Sequence, residues 1–264
     1  MELNILNRMK LEHFISGKSN KETLLFVHGA GANARQFDKQ HSYFSGMFKV
    51  VSVSLRGHGG SPLPSPNNRS SYSLEEMAGD LIELIEELDL HQIHYVGNSA
   101  GGVLGYIVST KMKERFLSLT TFGTTGQMNL PHFAGSLVSG IDKWMIRFFK
   151  KRYLKLLANY TGRNTESKDS IYQMFLQATD AIPYVRANLA NYNFLEVIEH
   201  LTIPYYLIQC EFDKEINKVL KSTIEAMKNN PMAKVLYLEG VGHVANLDNP
   251  DAFNRLLEKI IVDQ

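Results

Sequence analysis

Apolar positions along the chain follow two different periods. Short, nearly unbroken apolar runs occupy residues 23–27, 48–55, 93–96, 117–122, 204–210 and 234–238. Runs of this length, bounded by Gly, Pro or polar clusters, predict strands buried on both faces. Between them apolar residues recur three and four apart. Leu74, Met77, Leu81, Leu84, Ile85 and Leu88 mark one amphipathic helix. A capping box from Ser73 to Glu76 opens it. Leu256, Leu257, Ile260 and Ile261 mark a closing helix, with Pro250 suited to its first turn. Residues 33–45, 103–113 and 218–227 read as further helices. Two weaker apolar stretches, 3–6 and 11–15, predict an antiparallel hairpin and bring the count to eight strands. Strands alternate with helices, so the predicted fold is α/β: a mostly parallel eight-stranded sheet with helices on both faces.

The alternation stops at residue 124 and resumes at 202. The intervening stretch offers no strand candidate and is rich in aromatic and basic residues. Ile146, Phe149, Tyr153, Leu156, Leu157 and Tyr160 share one helical face. Residues 169–179 and 184–198 also read as helices. We therefore expect a helical cap, 124–201, inserted into a core formed by 1–123 and 202–264. The rival reading is an amphipathic helix lying on a membrane surface. A mid-chain position between two sheet strands favours the cap. Arg147, Lys150, Lys151 and Arg152 then belong to a solvated cap face.

Composition narrows this picture. A chain of 264 residues has room for one large α/β domain and an insert. A net charge of +1 gives no bulk attraction to nucleic acid or to an anionic membrane. The single cysteine, Cys210, cannot form an internal disulfide, and its apolar surroundings suit a small buried residue. No stretch reads as a signal peptide or a transmembrane helix. The expectation is a soluble cytoplasmic protein without stable membrane insertion. Its oligomeric state is left open.

The candidate chemistry gathers on loops that follow strands. Gly97-Asn98-Ser99-Ala100-Gly101 reads G-x-S-x-G between a strand and a helix. There the motif lifts a serine hydroxyl clear of the sheet on a tight, strained turn. The helix behind it turns its positive end to the same spot. Of nine histidines, His243 alone follows the last strand, in a Gly-His turn that lets a base reach the serine. Asp213, just beyond the preceding strand, is the candidate acid to orient it. Glu211 and Glu215 are rivals. Asp248 is another, though it better suits capping of the last helix. Asp213 could likewise be no more than the cap of the helix from residue 214. The N–H groups of Ala30, in the loop His28-Gly29-Ala30-Gly31, and of Ala100 are the natural oxyanion donors. His28 and His58 are expected to fix their glycine turns. No phosphate-binding glycine motif and no metal-ligand spacing appears, so neither cofactor nor metal is expected.

These residues carry a resemblance. HGAG over 28–31, LRGHGGS over 55–61, GNSAGG over 97–102 and the EFD and GH pair at 211–213 and 242–243 occur in order and spacing. Together they resemble the serine-nucleophile branch of the α/β-hydrolase superfamily, across nearly the whole chain. The resemblance implies the order Ser99, Asp213, His243 for a catalytic triad. It points to compact esterases, lactonases, C–C bond hydrolases and haloperoxidase-like enzymes. A serine nucleophile excludes the haloalkane dehalogenases and epoxide hydrolases. Leu55 departs from the pattern, which often has Asp before Arg-Gly-x-Gly-x-Ser, and this touches the anchoring of that loop.

The expected function is hydrolysis of a small or medium carboxylic ester or thioester through an acyl-enzyme. A C–C bond or lactone hydrolase would use the same triad, and the former would need an acid-recognising pocket. From a different class, a non-catalytic ligand-binding protein could keep the cavity without needing all three groups. His28, Met145, Phe149, Phe175 and Tyr184 are the expected pocket residues, for an apolar small-molecule substrate.

Overall fold

The computed structural model describes residues 9–262. The strand expected over 3–6 lies outside them. Nine strands are described: β1 (His13–Ser16), β2 (Thr23–Val27), β3 (Lys49–Val53), β4 (Ile93–Asn98), β5 (Phe116–Phe122), β6 (Gln127–Asn129), β7 (Asn191–Asn193), β8 (Tyr205–Cys210) and β9 (Ala233–Leu238). Seven of them form the main sheet in the order β1-β3-β2-β4-β5-β8-β9. Only β1 is antiparallel, pairing with β3 from His13–Val53 to Ser16–Val50. The others run parallel, so their carboxyl ends and the loops beyond them share one edge.

Helices α1 (Asp38–Phe44), α2 (Leu74–Glu87), α3 (Ala100–Lys111), α8 (Lys214–Val219), α9 (Lys221–Lys228), α10 (Ala245–Asp248) and α11 (Pro250–Val262) flank the sheet, while α4 (Ala134–Thr161), α5 (Thr165–Leu176), α6 (Ile182–Asn188) and α7 (Leu195–His200) come from the stretch between β5 and β8. Side chains on a strand alternate between faces, and that alternation divides the interior in two. Leu25, Val27, Val51, Val53 and Leu119 face α2 and α3, meeting Met77, Leu81 and Leu104. Leu24, Phe26, Val50, Val96 and Phe122 face α1 and α11, meeting Phe44, Phe253 and Leu257. Strands covered on both sides need the unbroken apolar runs seen in the sequence.

Helix starts follow their capping residues. The Ser73 hydroxyl accepts the Glu76 N–H and opens α2. Glu76 does not return the bond; its carboxylate turns to Arg56 at 3.3 Å. The helix expected over 218–227 divides into α8 and α9 at Leu220.

Between β5 and β8 the chain adds no strand to the main sheet, but it is not purely helical as expected. β6 and β7 pair antiparallel, Gln127 with Asn193 through Asn129 with Asn191, and tie the two ends of the excursion together. β7 also interrupts the helix expected over 184–198. α4 is kinked at Phe149, where φ is −133° and ψ 25°. The kink separates Ile146 from the residues beyond it. Within the second segment Tyr153 is buried, Leu156 is exposed and Tyr160 is exposed where it borders a cavity. The α4–α5–α6 layer has its own cluster, including Tyr153, Leu154, Ile171 and Phe175, which rests on Ala32 and Val244 of the loops below. Ile198 of α7 instead joins the main core.

Candidate active site

The turn after β4 is built by close approaches. Ser99 has φ 50° and ψ −115°, in the region left-handed for an L-residue. A Cβ at Gly97 would lie 2.5 Å from the Gly101 carbonyl oxygen, and one at Gly101 would lie 2.2 Å from that of Val27. Glycine is required at both positions. The turn is held by Ser99 N–H donating to Phe122 O at 3.0 Å, Gly101 N–H to His28 O at 3.1 Å and the Tyr95 hydroxyl to Gly101 O at 2.7 Å. Ser99 is thus fixed to the neighbouring strand and to the loop after β2.

That loop is clamped to the loop after β3 by two histidines. His28 Nε2 accepts the Leu55 N–H at 2.9 Å, which leaves Nδ1 to donate to Gly29 O at 2.7 Å. Reciprocally, His58 Nε2 accepts the Gly31 N–H at 3.1 Å while Nδ1 donates to Arg56 O at 2.9 Å. Burial keeps both rings neutral: it lowers His28 well below the ordinary histidine value, helped by the nearby His58, and lowers His58 to about 4. Leu55, the residue that departs from the expected pattern, is buried. Its loop is anchored next door instead, where Arg56 makes a two-pronged ion pair with buried Asp80 at 2.6 and 2.7 Å.

Asp213 follows β8 and His243 follows β9. His243 Nδ1 lies 2.8 Å from Asp213 Oδ2. The other carboxylate oxygen, Oδ1, accepts the Ile216 N–H at 3.5 Å, so one aspartate both caps α8 and meets the histidine. Burial on its own lowers the His243 pKa; the charge and hydrogen bond of Asp213, with the charge of Asp248, outweigh it and raise it overall. The rival acids are engaged elsewhere. Glu211 accepts Gly240 N–H at 2.8 Å, and Glu215 pairs with Lys218. Asp248 does not cap the last helix; the Asn249 side chain accepts the Ala252 N–H there. Asp248 accepts Gly242 N–H and Arg163 N–H, both at 2.8 Å, which ties the His243 loop to the start of α5.

Ser99, Asp213, His243 and Ala30 line one cavity of about 570 Å³, in the range of small-molecule sites. Ala100 opens α3 directly behind Ser99. No Ser99–His243 hydrogen bond forms among the described residues; such bonds often tighten only when substrate is bound. Of the expected lining residues Phe175 borders the cavity, whereas His28, Met145, Phe149 and Tyr184 do not. His28 lies buried beneath its loop, and Met145 packs, half-buried, against the cluster of the α4–α5–α6 layer. Phe149 points outward at the kink. Tyr184 stacks on Tyr72 at 5.5 Å under the Lys143 ammonium. Among the described residues no group of three or more His, Cys, Asp or Glu could hold a metal ion.

Two features of the site are new. Asn98 donates to His243 O at 2.9 Å and to Phe122 O at 3.2 Å, and accepts from Gln36 at 3.1 Å. Gln36 also donates to Asn246 at 3.1 Å, which extends a buried amide chain to α10. Arg186 of α6 also borders the cavity. Its Nη1 donates to Asp142 at 2.6 Å and to the Tyr153 hydroxyl at 3.1 Å. Tyr153 in turn donates to Asp142. Burial raises the Asp142 carboxyl; Arg186 and Tyr153 oppose this without cancelling it.

Residues 24–256 match the alpha/beta hydrolase family. Among curated proteins, the 3-oxoadipate enol-lactonase 2 of Acinetobacter baylyi is 26% identical over 118 residues, 45% of this chain and only 43% of that protein. The pimeloyl-acyl-carrier-protein methyl ester esterase of Aeromonas hydrophila is 22% identical over 249 residues, covering 90% of this chain and 94% of that protein. Among solved structures, the enol-lactonase from Burkholderia xenovorans superposes with a TM-score of 0.82 at 17% identity, over 97% of this chain and 98% of the other. At that identity the likeness is one of fold.

Proposed function

The chain belongs to the alpha/beta hydrolase family, and on that basis we propose that it hydrolyses a small or medium carboxylic ester or thioester through an acyl-enzyme on Ser99. The observation that carries this reading is the convergence of Ser99 and His243 on one cavity, with Asp213 bonded to the far nitrogen of His243. Asp213 holds the proton on Nδ1, so Nε2 is free to accept. His243 takes the Ser99 hydroxyl proton as the oxygen attacks the carbonyl carbon. The oxyanion meets the N–H groups of Ala30 and Ala100. The alcohol or thiol leaves with the proton from His243. Water, deprotonated by the same ring, then releases the acid and restores Ser99. The reaction as written uses no cofactor. We place it in the cytoplasm, a setting in which a single, buried free cysteine stays reduced.

The test is hydrolysis of p-nitrophenyl esters of increasing acyl length by wild type and by Ser99→Ala. The reading expects turnover with a chain-length optimum in wild type and background rates in the variant. An inert wild type, or an equally active variant, would remove it.

A second reading is favoured by Arg186. A guanidinium bordering the cavity suits a substrate that carries a carboxylate, as a lactone or C–C hydrolase of acidic substrates would require. Asp142→Asn/Arg186→Gln removes that charge without leaving a buried carboxylate unpaired. If this reading holds, the double variant loses its preference for a carboxylate-bearing ester over a neutral one. An unchanged preference rejects it.

A further inference from the structure

The outer face of α4 takes no part in the site. Helical spacing gathers Phe133, Leu137, Ile141, Trp144 and Phe148 in one stripe. These side chains are 67%, 55%, 48%, 55% and 59% exposed. The opposite side of the same helix, Gly135, Ser139 and Asp142, is buried. Up to Asp142 the fully buried positions are thus small or polar while the large apolar residues face outward; Met145 and Ile146 are half-buried against the layer's own cluster. A helix that merely roofs a cavity gains stability from the reverse arrangement. Over Ala134–Phe148 the stripe extends ~22 Å. A contiguous apolar face of this kind on a folded protein marks an interaction surface.

Charge identifies the occupant. α4 also carries Lys143, Arg147, Lys150, Lys151, Arg152 and Lys155, all exposed. Its one acidic residue, Asp142, is buried and paired with Arg186. The whole chain has a net charge of only +1, so the excess is local. Exposed Lys150, Lys151 and Arg152 follow within a turn of Phe148, the last member of the apolar stripe. A second copy of the chain is a poor occupant, because a two-fold contact sets these cations against themselves. An anionic bilayer neutralises them and accepts Trp and Phe at headgroup depth.

We propose that α4 docks this protein on an anionic lipid surface, its apolar stripe in the headgroup layer and its basic cluster on the lipid phosphates. The helix lies on the membrane; no helix among the described residues is long and apolar enough to cross one. The proposal goes beyond the hydrolase reading and does not depend on it. It replaces the solvated cap face expected from the sequence. The far end of α4, at Leu157, Tyr160 and Thr161, borders the cavity, so the docking element and the site share one helix.

Trp144 is the chain's single tryptophan and reports on this face directly. The full chain is mixed with vesicles of phosphatidylcholine alone, or of phosphatidylcholine with phosphatidylglycerol, and followed by co-sedimentation and tryptophan emission. The expected result is salt-sensitive binding to the anionic vesicles with a blue shift, and at least ~10-fold weaker binding to neutral ones. Each cation removed lowers binding about fivefold, so Lys150→Glu/Lys151→Glu/Arg152→Glu lowers it by ~100-fold or more. Phe148→Asp keeps the probe and abolishes the shift. Far-UV circular dichroism and turnover of a soluble ester verify that both variants fold. Ser99→Ala binds like wild type, which separates docking from hydrolysis. Any of four results overturns the proposal: no binding to anionic vesicles, binding that both variants retain, binding without an emission shift, or a dimer that Phe148→Asp dissolves in a protein that ignores vesicles. Preference for an acidic polypeptide such as polyglutamate over the vesicles overturns it as well.

Discussion

Asp213→Asn separates the two jobs that Asp213 performs in the structure. Asparagine is as good a helix cap as aspartate, and its Oδ1 can still accept the Ile216 N–H, so α8 keeps its start. The atom facing His243 Nδ1 at 2.8 Å, however, becomes a donor. The ring then carries its proton on Nε2 and cannot accept one from Ser99. If Asp213 orients the base, the loss in kcat is about 10³–10⁴-fold. A charge effect goes with it. His243 is raised above the ordinary histidine value by the Asp213 charge and hydrogen bond, together with the charge of Asp248. With His243 as the proposed base, activity requires the neutral ring, so the acid limb of kcat/KM in wild type is expected above about pH 6.5. In the variant that limb moves to lower pH, because the largest contribution favouring the charged ring has gone. The assay is p-nitrophenyl ester hydrolysis from about pH 5 to about pH 9, with the residual rate of the variant measured at high enzyme concentration. Activity within threefold of wild type and an unmoved acid limb would show that Asp213 is only a cap, and the reasoning would be wrong.

Two further predictions rest on other parts of the site. Asn98→Ala removes the bond that holds the His243 carbonyl; we expect kcat to fall roughly 10- to 100-fold with KM nearly unchanged, since small misplacements of a base are costly, and a rise in KM alone would contradict a positioning role. The neutral, buried His58 titrates at about 4 when folded. The unfolded chain takes up that proton near pH 6.5, so stability is full above that value and falls as pH drops towards about 4, by on the order of 3 kcal/mol. Urea midpoints across this range check the sign, and His58→Gln should flatten the slope; equal slopes in both proteins would refute the assignment.

What could be read in the sequence was whatever has a local signature. The apolar runs of the parallel strands are continuous because helices cover both faces, and the glycines around Ser99 are forced by approaches of 2.2 to 2.5 Å to backbone oxygens. Loops that follow parallel strands must meet at one edge, so Asp213 and His243 could be placed near each other from the strand order, while Glu211, Glu215 and Asp248 stayed rivals for the acid until the 2.8 Å contact of Asp213 with His243 was seen. The amide chain Asn98–Gln36–Asn246 had no such signature. Its members lie 62 and 210 residues apart and meet only through tertiary packing. Asp248 looked like a helix cap because it precedes Asn249-Pro250, yet the residue next to it fills that role. The cap misled for a different reason. Periodicity assumes an unbroken helix, and the kink at Phe149 parts Ile146 from the residues beyond it; Leu156 and Tyr160 keep their spacing with Tyr153 yet are exposed, because periodicity does not say whether a face meets a neighbouring element. Three-residue strands such as β6 and β7 are too short to show a period at all.

The central claim is a covalent acyl group on Ser99, and it can be observed directly. Wild-type protein is mixed with a p-nitrophenyl ester, quenched in acid within the first turnover, and analysed by intact mass and peptide mapping. The account predicts a burst of p-nitrophenol matched by a mass gain of one acyl group, located on the peptide that contains Ser99 and absent from Ser99→Ala. A burst whose acyl group maps to another residue, or turnover that persists in Ser99→Ala, would contradict it.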